Sequence, residues 1–421
     1  MKKKIALTLC AVMMATACLT GCGSGGQQAN VGGNDTSADA ESGEMTVIGG
    51  DSDEISEKTT DADTFVLGAS EEPTTLEPAE AQLVSGWICT GAVYDNLITL
   101  NEDTGEIEGV LAESWEYTDD TTLVIRIKDG IKFHNGSDLT ADDVLFTLER
   151  LAASSRYATN YSCIDFENCT VIDNTTLEVK LSTTYAPLLS YLCHPSAGVL
   201  SRSYYEEVGE EGLAREPMGT GAFVFDNWVS GDRFTAHRND DYWGEKPAYE
   251  NLAVRFITES TTRMIEFETG GVDAVIDLAS SDIERMENNE VSGSVLYKMA
   301  GEKITRLEMY EGYEPFQDER VREAICHAID FESVVSAAYG STAEYTSSIL
   351  PKDCMYYVET EGYEYDPDLA KELLEEAGYG DGFTVSASVG SGSPDAKALE
   401  IIQAQLADVG IEMEQIGRAH V

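Results

Sequence analysis

Side chains that could do acid–base or nucleophilic chemistry are scattered through this chain of 421 residues. Neither a G-x-S-x-G nor an H-E-x-x-H motif is present, and carboxylate pairs occur by chance in a chain with 77 Asp and Glu residues. The histidines are far apart in the sequence: His134, His194, His237, His327 and His420. We therefore predict surface or hydrogen-bonded histidines, no catalytic residues and a protein that is not an enzyme, with an exported hydrolase as the remote alternative.

Cysteine spacing argues against a metal site. After position 22 the cysteines are Cys89, Cys163, Cys169, Cys193, Cys326 and Cys354. No two of them have the C-x₂-C spacing of zinc ligands, so we predict no metal and no cofactor. Cys163 and Cys169 are close enough to pair across a turn in an exported protein, and the sequence is compatible with a disulfide and with two free thiols.

The charge of the chain limits its partners. With 27 Lys and Arg against 77 Asp and Glu, the formal net charge is −50, whereas the hydrophobic content of 42% is that of an ordinary globular protein. Such a charge favours solubility and repels nucleic acids and anionic membrane surfaces. We predict a monomer with two or three domains and no nucleic acid partner.

The N-terminus has the features of an export signal. Lysines at positions 2–4 precede an apolar run, residues 5–19, that is too short for a permanent membrane helix. The run ends in Leu19-Thr20-Gly21-Cys22, which resembles the bacterial lipobox, whose cysteine is acylated and becomes the new N-terminus. We expect a lipoprotein signal peptide over residues 1–21 and lipidation at Cys22; an ordinary secretory signal is the alternative. The protein would then be extracytoplasmic and lipid-anchored to the cell membrane, in a periplasm or on the outer face of a Gram-positive membrane.

Residues 22–63 are rich in Gly, Ser, Asp, Asn and Thr and poor in large apolar side chains. A segment of this composition cannot bury enough surface to offset the entropy of ordering. We therefore predict a flexible tether, with the folded part beginning near Thr64.

A glycine-rich turn and a hairpin lie near the middle of the chain. Pro217 fixes one φ angle, whereas Gly219 and Gly221 permit positive φ and a close approach of another segment to the backbone. Alternating residues from Phe223, the turn at Ser230-Gly231-Asp232 and the run Phe234–His237 predict the two strands of a hairpin. On these residues alone, ordinary structural glycines are the simplest interpretation.

Other periodic segments predict a mixed α/β protein. We expect a helix within residues 81–97, a strand at Ile131–Phe133 and helices capped by Thr140 and Ser260. Asp366-Pro367 marks another helix start. Two alternating segments, 383–389 and 411–416, flank a helix that ends at Gly410, and this order predicts a parallel βαβ unit.

A set of short motifs, taken in order, resembles the family 5 extracellular solute-binding proteins of ABC importers, the dipeptide, oligopeptide and nickel type. The motifs are Leu111-Ala-Glu-Ser-Trp115, Phe133-His-Asn-Gly136, Leu139-Thr-Ala-Asp-Asp-Val144, Pro217-Met-Gly-Thr-Gly221, Arg238-Asn-Asp-Asp-Tyr-Trp-Gly244, Gly271-Val-Asp273, Arg320-Val-Arg-Glu-Ala324, Ala328-Ile-Asp330, Tyr365-Asp-Pro and Ala377-Gly378. No single motif is decisive, but together they span most of the chain after Thr75.

The resemblance implies a two-lobed clamshell of the periplasmic-binding-protein type with an inserted α+β subdomain. It places lobe I at residues 64–94 and 216–298, the inserted subdomain at 95–215 and lobe II at 299–421. Members of the family continue beyond the strand equivalent to residues 411–416. We therefore expect a C-terminally truncated chain with an incomplete second lobe.

The resemblance also implies a small set of ligand-binding residues. Gln82 and Val84 match family positions that line the cleft beside the ligand backbone, and Tyr157 matches an aromatic wall position in the subdomain. The Gly219-Thr220-Gly221 turn lies near the lobe interface in this family. We expect it to be a marker of the fold first and a ligand contact second.

The function that the resemblance implies is solute capture for transport. A membrane-anchored protein of this kind would enclose a di- or oligopeptide by hinge closure and deliver it to the permease subunits of an ABC importer. A peptide is favoured only because it is the commonest ligand of the family. An oligosaccharide or a nickel or haem complex is the alternative ligand.

Overall fold

The computed structural model describes residues 46–49, 63–101, 104–299, 301, 303–352, 354, 357–390 and 394–418. These residues divide into two compact units of mixed α/β structure. The first unit contains the described residues up to Ala279 together with Val291–Met299, and the second contains Ser280–Glu290 together with the described residues after Met299. The predicted signal peptide and Cys22 lie outside the described residues. In the part of the chain that is described, no helix is long and apolar enough to cross a membrane.

Strands and helices alternate irregularly along the first unit and regularly near the end of the second. The strands are β1 (Thr46–Gly49), β2 (Thr64–Ala69), β3 (Ile98–Leu100), β4 (Ile107–Gly109), β5 (Ala112–Asp119), β6 (Thr122–Ile127), β7 (Thr170–Asp173), β8 (Thr176–Lys180), β9 (Phe223–Val229), β10 (Arg233–Arg238), β11 (Asn251–Phe256), β12 (Ala274–Val275), β13 (Val295–Lys298), β14 (Phe383–Gly390) and β15 (Ile411–Arg418). The α-helices are α1 (Val84–Val93), α2 (Ala141–Ala153), α3 (Ala158–Tyr161), α4 (Leu188–Cys193), α5 (Arg202–Leu213), α6 (Ser260–Glu268), α7 (Ser280–Glu287), α8 (Glu319–Ala328), α9 (Phe331–Tyr339), α10 (Pro367–Glu376) and α11 (Pro394–Asp408).

A five-stranded sheet in the order β12–β2–β11–β10–β9 forms one core of the first unit. β2 pairs in parallel with β11 and β12, whereas β10 is antiparallel to β11 and β9. The β9–β10 hairpin confirms the prediction for the segment after the glycine-rich turn. β2 is buried from Phe65 to Ala69, as expected for a parallel strand covered on both faces. Ile88 and Val93 of α1 belong to the hydrophobic cluster on this sheet.

A second hydrophobic cluster of the first unit lies on the four-stranded antiparallel sheet β5–β6–β8–β7. Along β6, Leu123, Ile125 and Ile127 are buried, while Arg126 between them is exposed. This alternation is typical of a sheet with one face on the core and the other in solvent.

Helix α2 covers the same cluster with Val144, Leu148 and Leu151. Thr140 precedes the helix, as predicted, and its N and Oγ1 donate to Asp143 Oδ2 at 2.9 and 2.8 Å. The negative charge of Asp143 also lies at the positive end of the helix dipole. Sequence and local geometry therefore agree on where α2 begins.

The second unit has its own hydrophobic cluster, formed by α8 to α11 and the parallel pair β14–β15. The parallel βαβ unit predicted from the sequence is thus confirmed. The predicted start of α10 is confirmed as well: Pro367 is its first residue, and Asp366 Oδ1 accepts a hydrogen bond from Leu369 N at 3.0 Å. Gly378, at φ +85°, follows the end of this helix.

Several predicted elements differ from the structure. The helix predicted within residues 81–97 is confirmed as α1, but it is shorter than that window because Leu83 and Tyr94 both have extended backbone angles. The predicted strand Ile131–Phe133 is wrong, since Lys132 forms only an isolated bridge, with Asp138. Glu259 caps α6 in place of Ser260, accepting a hydrogen bond from Thr262 N at Oε2, 2.6 Å away.

Within the predicted tether, β1 pairs in antiparallel fashion with β13 of the first unit. The adjacent β-branched residues Val47 and Ile48 provide the local strand preference. These four residues are therefore part of a sheet, although the surrounding composition predicts a flexible segment.

The chain leaves the first unit close to a buried arginine. Arg263 Nη1 donates to Ile257 O at 2.6 Å, Nε donates to Ile276 O at 3.1 Å, and Nη2 donates to Asp277 O. Its charge is thus satisfied by carbonyl oxygens of two segments that follow the strands β11 and β12. Gly68 lies beside it, and a Cβ atom on Gly68 would be 3.3 Å from Arg263 Cγ.

Candidate functional site

The loop before α1 carries two of the predicted ligand contacts. Glu77 at its start is buried, and its Oε1 accepts hydrogen bonds from Nε and Nη2 of Arg150 at 3.1 and 2.5 Å. A short 3₁₀ turn, Pro78–Glu80, follows. Gln82 and Val84 come next and are exposed. A buried ion pair and a rigid turn therefore fix the loop while two side chains remain accessible.

Two aromatic side chains donate hydrogen bonds to the carbonyl oxygen of Ala81 in this loop. Trp87 Nε1 lies 3.1 Å and Tyr157 OH lies 3.4 Å from Ala81 O. Both rings are half-buried, Trp87 in the first turn of α1 and Tyr157 just before α3. The structure thus brings Tyr157 against the loop that carries Gln82 and Val84.

His194 extends this aromatic surface. Its ring centroid lies 5.2 Å from that of Trp87, with the planes at 85°, and 5.5 Å from that of Tyr157. Ser196 N donates to His194 Nδ1 at 3.1 Å. Burial lowers the pKa of His194 to about 4, so the imidazole is neutral near pH 7. We refer to Gln82, Val84, Trp87, Tyr157 and His194 together as the aromatic site.

The Gly219-Thr220-Gly221 turn is buried against the other end of α1. Gly221 N donates to Val93 O at 2.8 Å. A Cβ atom on Gly219 would lie 2.3 Å from Val93 O, and one on Gly221 would lie 2.5 Å from Val93 C. Glycine is therefore required at both positions by the close approach of the two segments.

Asp95, the second residue after α1, links this turn to an aromatic loop far along the chain. Its Oδ2 accepts hydrogen bonds from Thr220 Oγ1 at 2.8 Å and Trp243 Nε1 at 3.0 Å, and its Oδ1 accepts one from Tyr242 OH at 3.0 Å. Burial raises the pKa of Asp95 despite these three donors, which favour the ionised form. The contacts of Thr220 are therefore internal to the fold.

The predicted ligand-binding residues fall into two groups at opposite ends of α1. Gln82, Val84 and Tyr157 lie at its start. The glycine-rich turn lies at its end, beside Val93, which is about 14 Å from Val84 at 1.5 Å per residue along the helix axis. Their role in ligand binding stays a prediction for both groups.

Trp87, His194 and Asp95 are absent from the sequence-based set. Trp87 has a local signal, since it follows Val84 by three residues and so lies one helical turn away. His194 has a weaker one, because a polar side chain before Pro195 is typical of an N-cap. Asp95 has no local signal, because its partners lie more than 120 residues away.

The two cysteines that are close enough in sequence to pair are not joined in the structure. Cys163 and Cys169 are both free thiols, and Cys169 Sγ instead accepts a hydrogen bond from Lys180 N at 3.4 Å. No cluster of three or more His, Cys, Asp or Glu side chains among the described residues is arranged to hold a metal ion.

Residues 106–418 match the family described as bacterial extracellular solute-binding proteins, family 5 Middle. The match begins after Gln82, Val84 and Trp87, extends into both units, and includes Tyr157, His194 and the glycine-rich turn.

Individual relatives are similar to most of the described chain. The glutathione-binding protein GsiB of Escherichia coli O1:K1 is 27% identical over 358 residues, which is 83% of this chain and 68% of the relative. The periplasmic binding protein DppA of Helicobacter pylori, solved with the peptide STSA, has a TM-score of 0.70 at 25% identity and covers 84% of this chain and 73% of its own. AgaA of A. tumefaciens R10, solved with agropinic acid, has a TM-score of 0.69 at 26% identity, with coverages of 84% and 72%.

Proposed function

The chain belongs to the bacterial extracellular solute-binding proteins of family 5, which are extracytoplasmic, and on this basis we propose that it is the substrate-binding component of an ABC importer. It captures a di- or oligopeptide by hinge closure and delivers it unchanged to permease subunits. It acts as a monomer and carries no catalytic centre of its own.

The observation that carries the proposal is the aromatic site. A loop fixed by the Glu77–Arg150 ion pair presents exposed Gln82 and Val84 beside the half-buried rings of Trp87 and Tyr157. Flat rings offer apolar surface to many side chains, and loop polar groups offer hydrogen bonds to a peptide backbone. Such a surface suits a binding protein that tolerates different peptide side chains.

The ligands named for the relatives support a peptide over the alternatives. GsiB is named for glutathione and DppA was solved with a peptide, and both ligands contain peptide bonds. AgaA was solved with agropinic acid, which keeps non-peptide solutes as the second candidate, together with oligosaccharides and nickel or haem complexes. An exported hydrolase is the remote alternative.

We propose that the first unit consists of a lobe and an inserted subdomain. Residues 64–94 and 216–298 form lobe I, and residues 95–215 form a subdomain inserted into it. The two sheets support this assignment, because every strand of the five-stranded sheet lies within 64–94 or 216–298 and every strand of the four-stranded sheet lies within 95–215. Residues 299–421 belong to lobe II. In this scheme Gly219-Thr220-Gly221 joins the inserted subdomain to lobe I.

Membrane anchoring through a lipid is part of the proposal. Cys22 is lipidated, and the chain before Thr64 leads from the membrane to lobe I. Replacement of Cys22 by Ala should release the protein from the membrane or leave an unprocessed precursor. Unchanged membrane retention and electrophoretic mobility of that variant would contradict lipidation.

Ligand binding can be tested with the full chain by thermal denaturation and calorimetry. We expect glutathione or short peptides, among them Ser-Thr-Ser-Ala, to raise the Tm, because a ligand that binds only the folded state stabilises it. Cello-oligosaccharides and a nickel chelate serve as competing candidates, and chromatography after saturation should return the peptide uncleaved. Tyr157→Ala should weaken binding about tenfold or more.

Tyr117→Ala is the matched control, since Tyr117 is a half-exposed tyrosine of the four-stranded sheet outside the aromatic site. Its affinity should equal that of the wild type. A Tm response to a sugar or nickel chelate and to none of the peptides would exclude the peptide proposal.

A further inference from the structure

The aromatic site contains a hydrogen-bond donor that the proposed function does not yet use. We propose that His194 contacts the bound solute and donates a hydrogen bond from Nε2 to an oxygen atom of it, a carbonyl or a carboxylate. The inference rests on the proposed function, and it assigns a specificity-determining role to one side chain of the site.

The position of the proton on His194 follows from its neighbour Ser196. A backbone N–H can only donate, and Ser196 N donates to His194 Nδ1 at 3.1 Å. Ser196 Oγ lies 2.8 Å from the same Nδ1, and a hydroxyl can also donate. Both contacts are satisfied when Nδ1 carries a lone pair, which places the proton of the neutral ring on Nε2. A rotated ring would place a carbon atom against Ser196 N and lose this bond.

Packing holds the ring in that orientation. Trp87 contacts it edge-on at 5.2 Å and Tyr157 lies 5.5 Å away, and both rings are tied to Ala81 O. His194 is therefore clamped between two side chains whose own positions are fixed by the loop. A donor held in this way binds without first losing conformational freedom.

Nε2 is available to a ligand. Among the described residues it has no hydrogen-bond partner. It is also absent from the set of fully buried side-chain atoms that lack a partner. The donor thus lies in the aromatic site without a partner from the described part of the protein.

The fixed tautomer restricts the class of ligand. A protonated Nε2 binds oxygen acceptors, which every peptide supplies through its carbonyl groups and its terminal carboxylate. Coordination of a metal ion would need the lone pair on Nε2, and Ser196 N then would lose its acceptor. The geometry therefore favours a peptide or another carbonyl-bearing solute over a metal ion bound directly by this histidine.

Two substitutions separate the donor from the structural role of the ring. In His194→Asn, Oδ1 takes the place of Nδ1 and accepts from Ser196 N, while the Nε2 donor is lost. In His194→Gln, the amide nitrogen lies near the Nε2 position, while the acceptor for Ser196 N is lost. His237→Asn is the control, because His237 is exposed and bonded to Asp226 at 2.6 Å, outside the aromatic site.

Isothermal titration of the full chain with glutathione and Ser-Thr-Ser-Ala gives the readout. We expect His194→Asn to keep the Tm of the apo protein and to bind about tenfold more weakly, and His194→Gln to bind more tightly than His194→Asn despite a lower Tm. The control should bind as the wild type does. Wild-type affinity in His194→Asn, at unchanged Tm, would overturn the inference.

A ¹⁵N NMR spectrum of the histidine side chains tests the tautomer without a ligand. Protonated Nε2 and unprotonated Nδ1 are expected for His194 near pH 7, and the reverse would overturn the inference. Failure of the wild type to bind either peptide would instead count against the proposed peptide ligand, and the spectrum still decides the donor.

Discussion

Gly219 and Gly221 lie too close to α1 to accept a side chain. Their neighbours are backbone atoms of Val93, which cannot rotate away as the end of a flexible side chain can. The sequence allowed two reasons for glycine here, positive φ and close approach. The structure assigns the second, since neither glycine has positive φ.

Gly221→Ala should lower the free energy of unfolding by about 3 kcal/mol, because the added methyl group forces the turn and Val93 apart. Chemical denaturation followed by circular dichroism measures this loss. Gly86→Ala in α1 is the matched control: its Cβ would meet Ala81 and Pro73 at ordinary contact distances of 3.6 Å. That variant should change stability by less than about 1 kcal/mol. Equal losses in the two variants would contradict the packing explanation.

Arg150 and Glu77 connect helix α2 to the loop of the aromatic site. Arg150 is mostly buried and Glu77 almost wholly so, and the pair closes a separation of 73 residues in sequence. The loop has little other secondary structure to hold it. This ion pair, which the sequence does not indicate, therefore helps to hold the loop of Gln82 and Val84, together with the hydrogen bond from Ser154 Oγ to Ala79 O at 3.0 Å.

Replacing one partner of this ion pair should lower the free energy of unfolding more than replacing both partners. Arg150→Met leaves a buried carboxylate without a partner and is expected to cost about 3–5 kcal/mol of stability, whereas the double variant with Glu77→Leu should recover part of it. Urea denaturation of the two single variants and the double variant measures the coupling.

The control for this cycle is Lys132→Met, which breaks a solvent-exposed pair with Asp138. It should change stability by less than about 0.5 kcal/mol. A loss of stability in this variant as large as that in Arg150→Met would mean that burial of the ion pair does not determine the loss.

The sequence predicts best those helices and strands whose start and end residues lie within one short stretch of the chain. Asp366, Pro367 and Gly378 mark both ends of α10 within 13 residues, and the structure uses all three as expected. Ile131–Phe133 shows the opposite case. Its apolar alternation is that of a strand, but both apolar residues are buried in the cluster on the four-stranded sheet without joining that sheet. Burial alone can produce an alternating pattern.

The candidate site was only half predictable for a related reason. Tyr157 entered through a family resemblance, because nothing in its own neighbourhood indicates that it meets Ala81, 76 residues earlier. For Asp95, the sequence predicts only a domain boundary. Its three donors are 125, 147 and 148 residues away, so only the folded chain reveals it. Local pattern predicts elements, and long-range contacts decide which side chains meet.

The two units have separate hydrophobic clusters, so the molecule should lose its structure in parts. Leu374 is buried in the cluster of the second unit and Leu67 in that of the five-stranded sheet. Each substitution by Ala should cost about 2–5 kcal/mol within its own unit.

Hydrogen exchange with mass spectrometry distinguishes the units. Leu374→Ala should speed exchange in β14 and β15 and leave β2 and β11 unchanged, and Leu67→Ala should do the reverse. Faster exchange throughout the chain in both variants would show a single cooperative unit instead.

Arg263 has a consequence for how this sequence can change over time. Its guanidinium is held by carbonyl oxygens in a fixed fork, which the single ammonium of lysine cannot replace. A Cβ atom on Gly68 would lie 3.2 Å from Val275 Cγ1 and 3.3 Å from Arg263 Cγ, so a larger residue at position 68 would press on both side chains. A larger residue at position 68, or loss of the guanidinium at position 263, should therefore lower the stability of the fold. Among homologues, the two positions should either both be retained or be replaced as a pair.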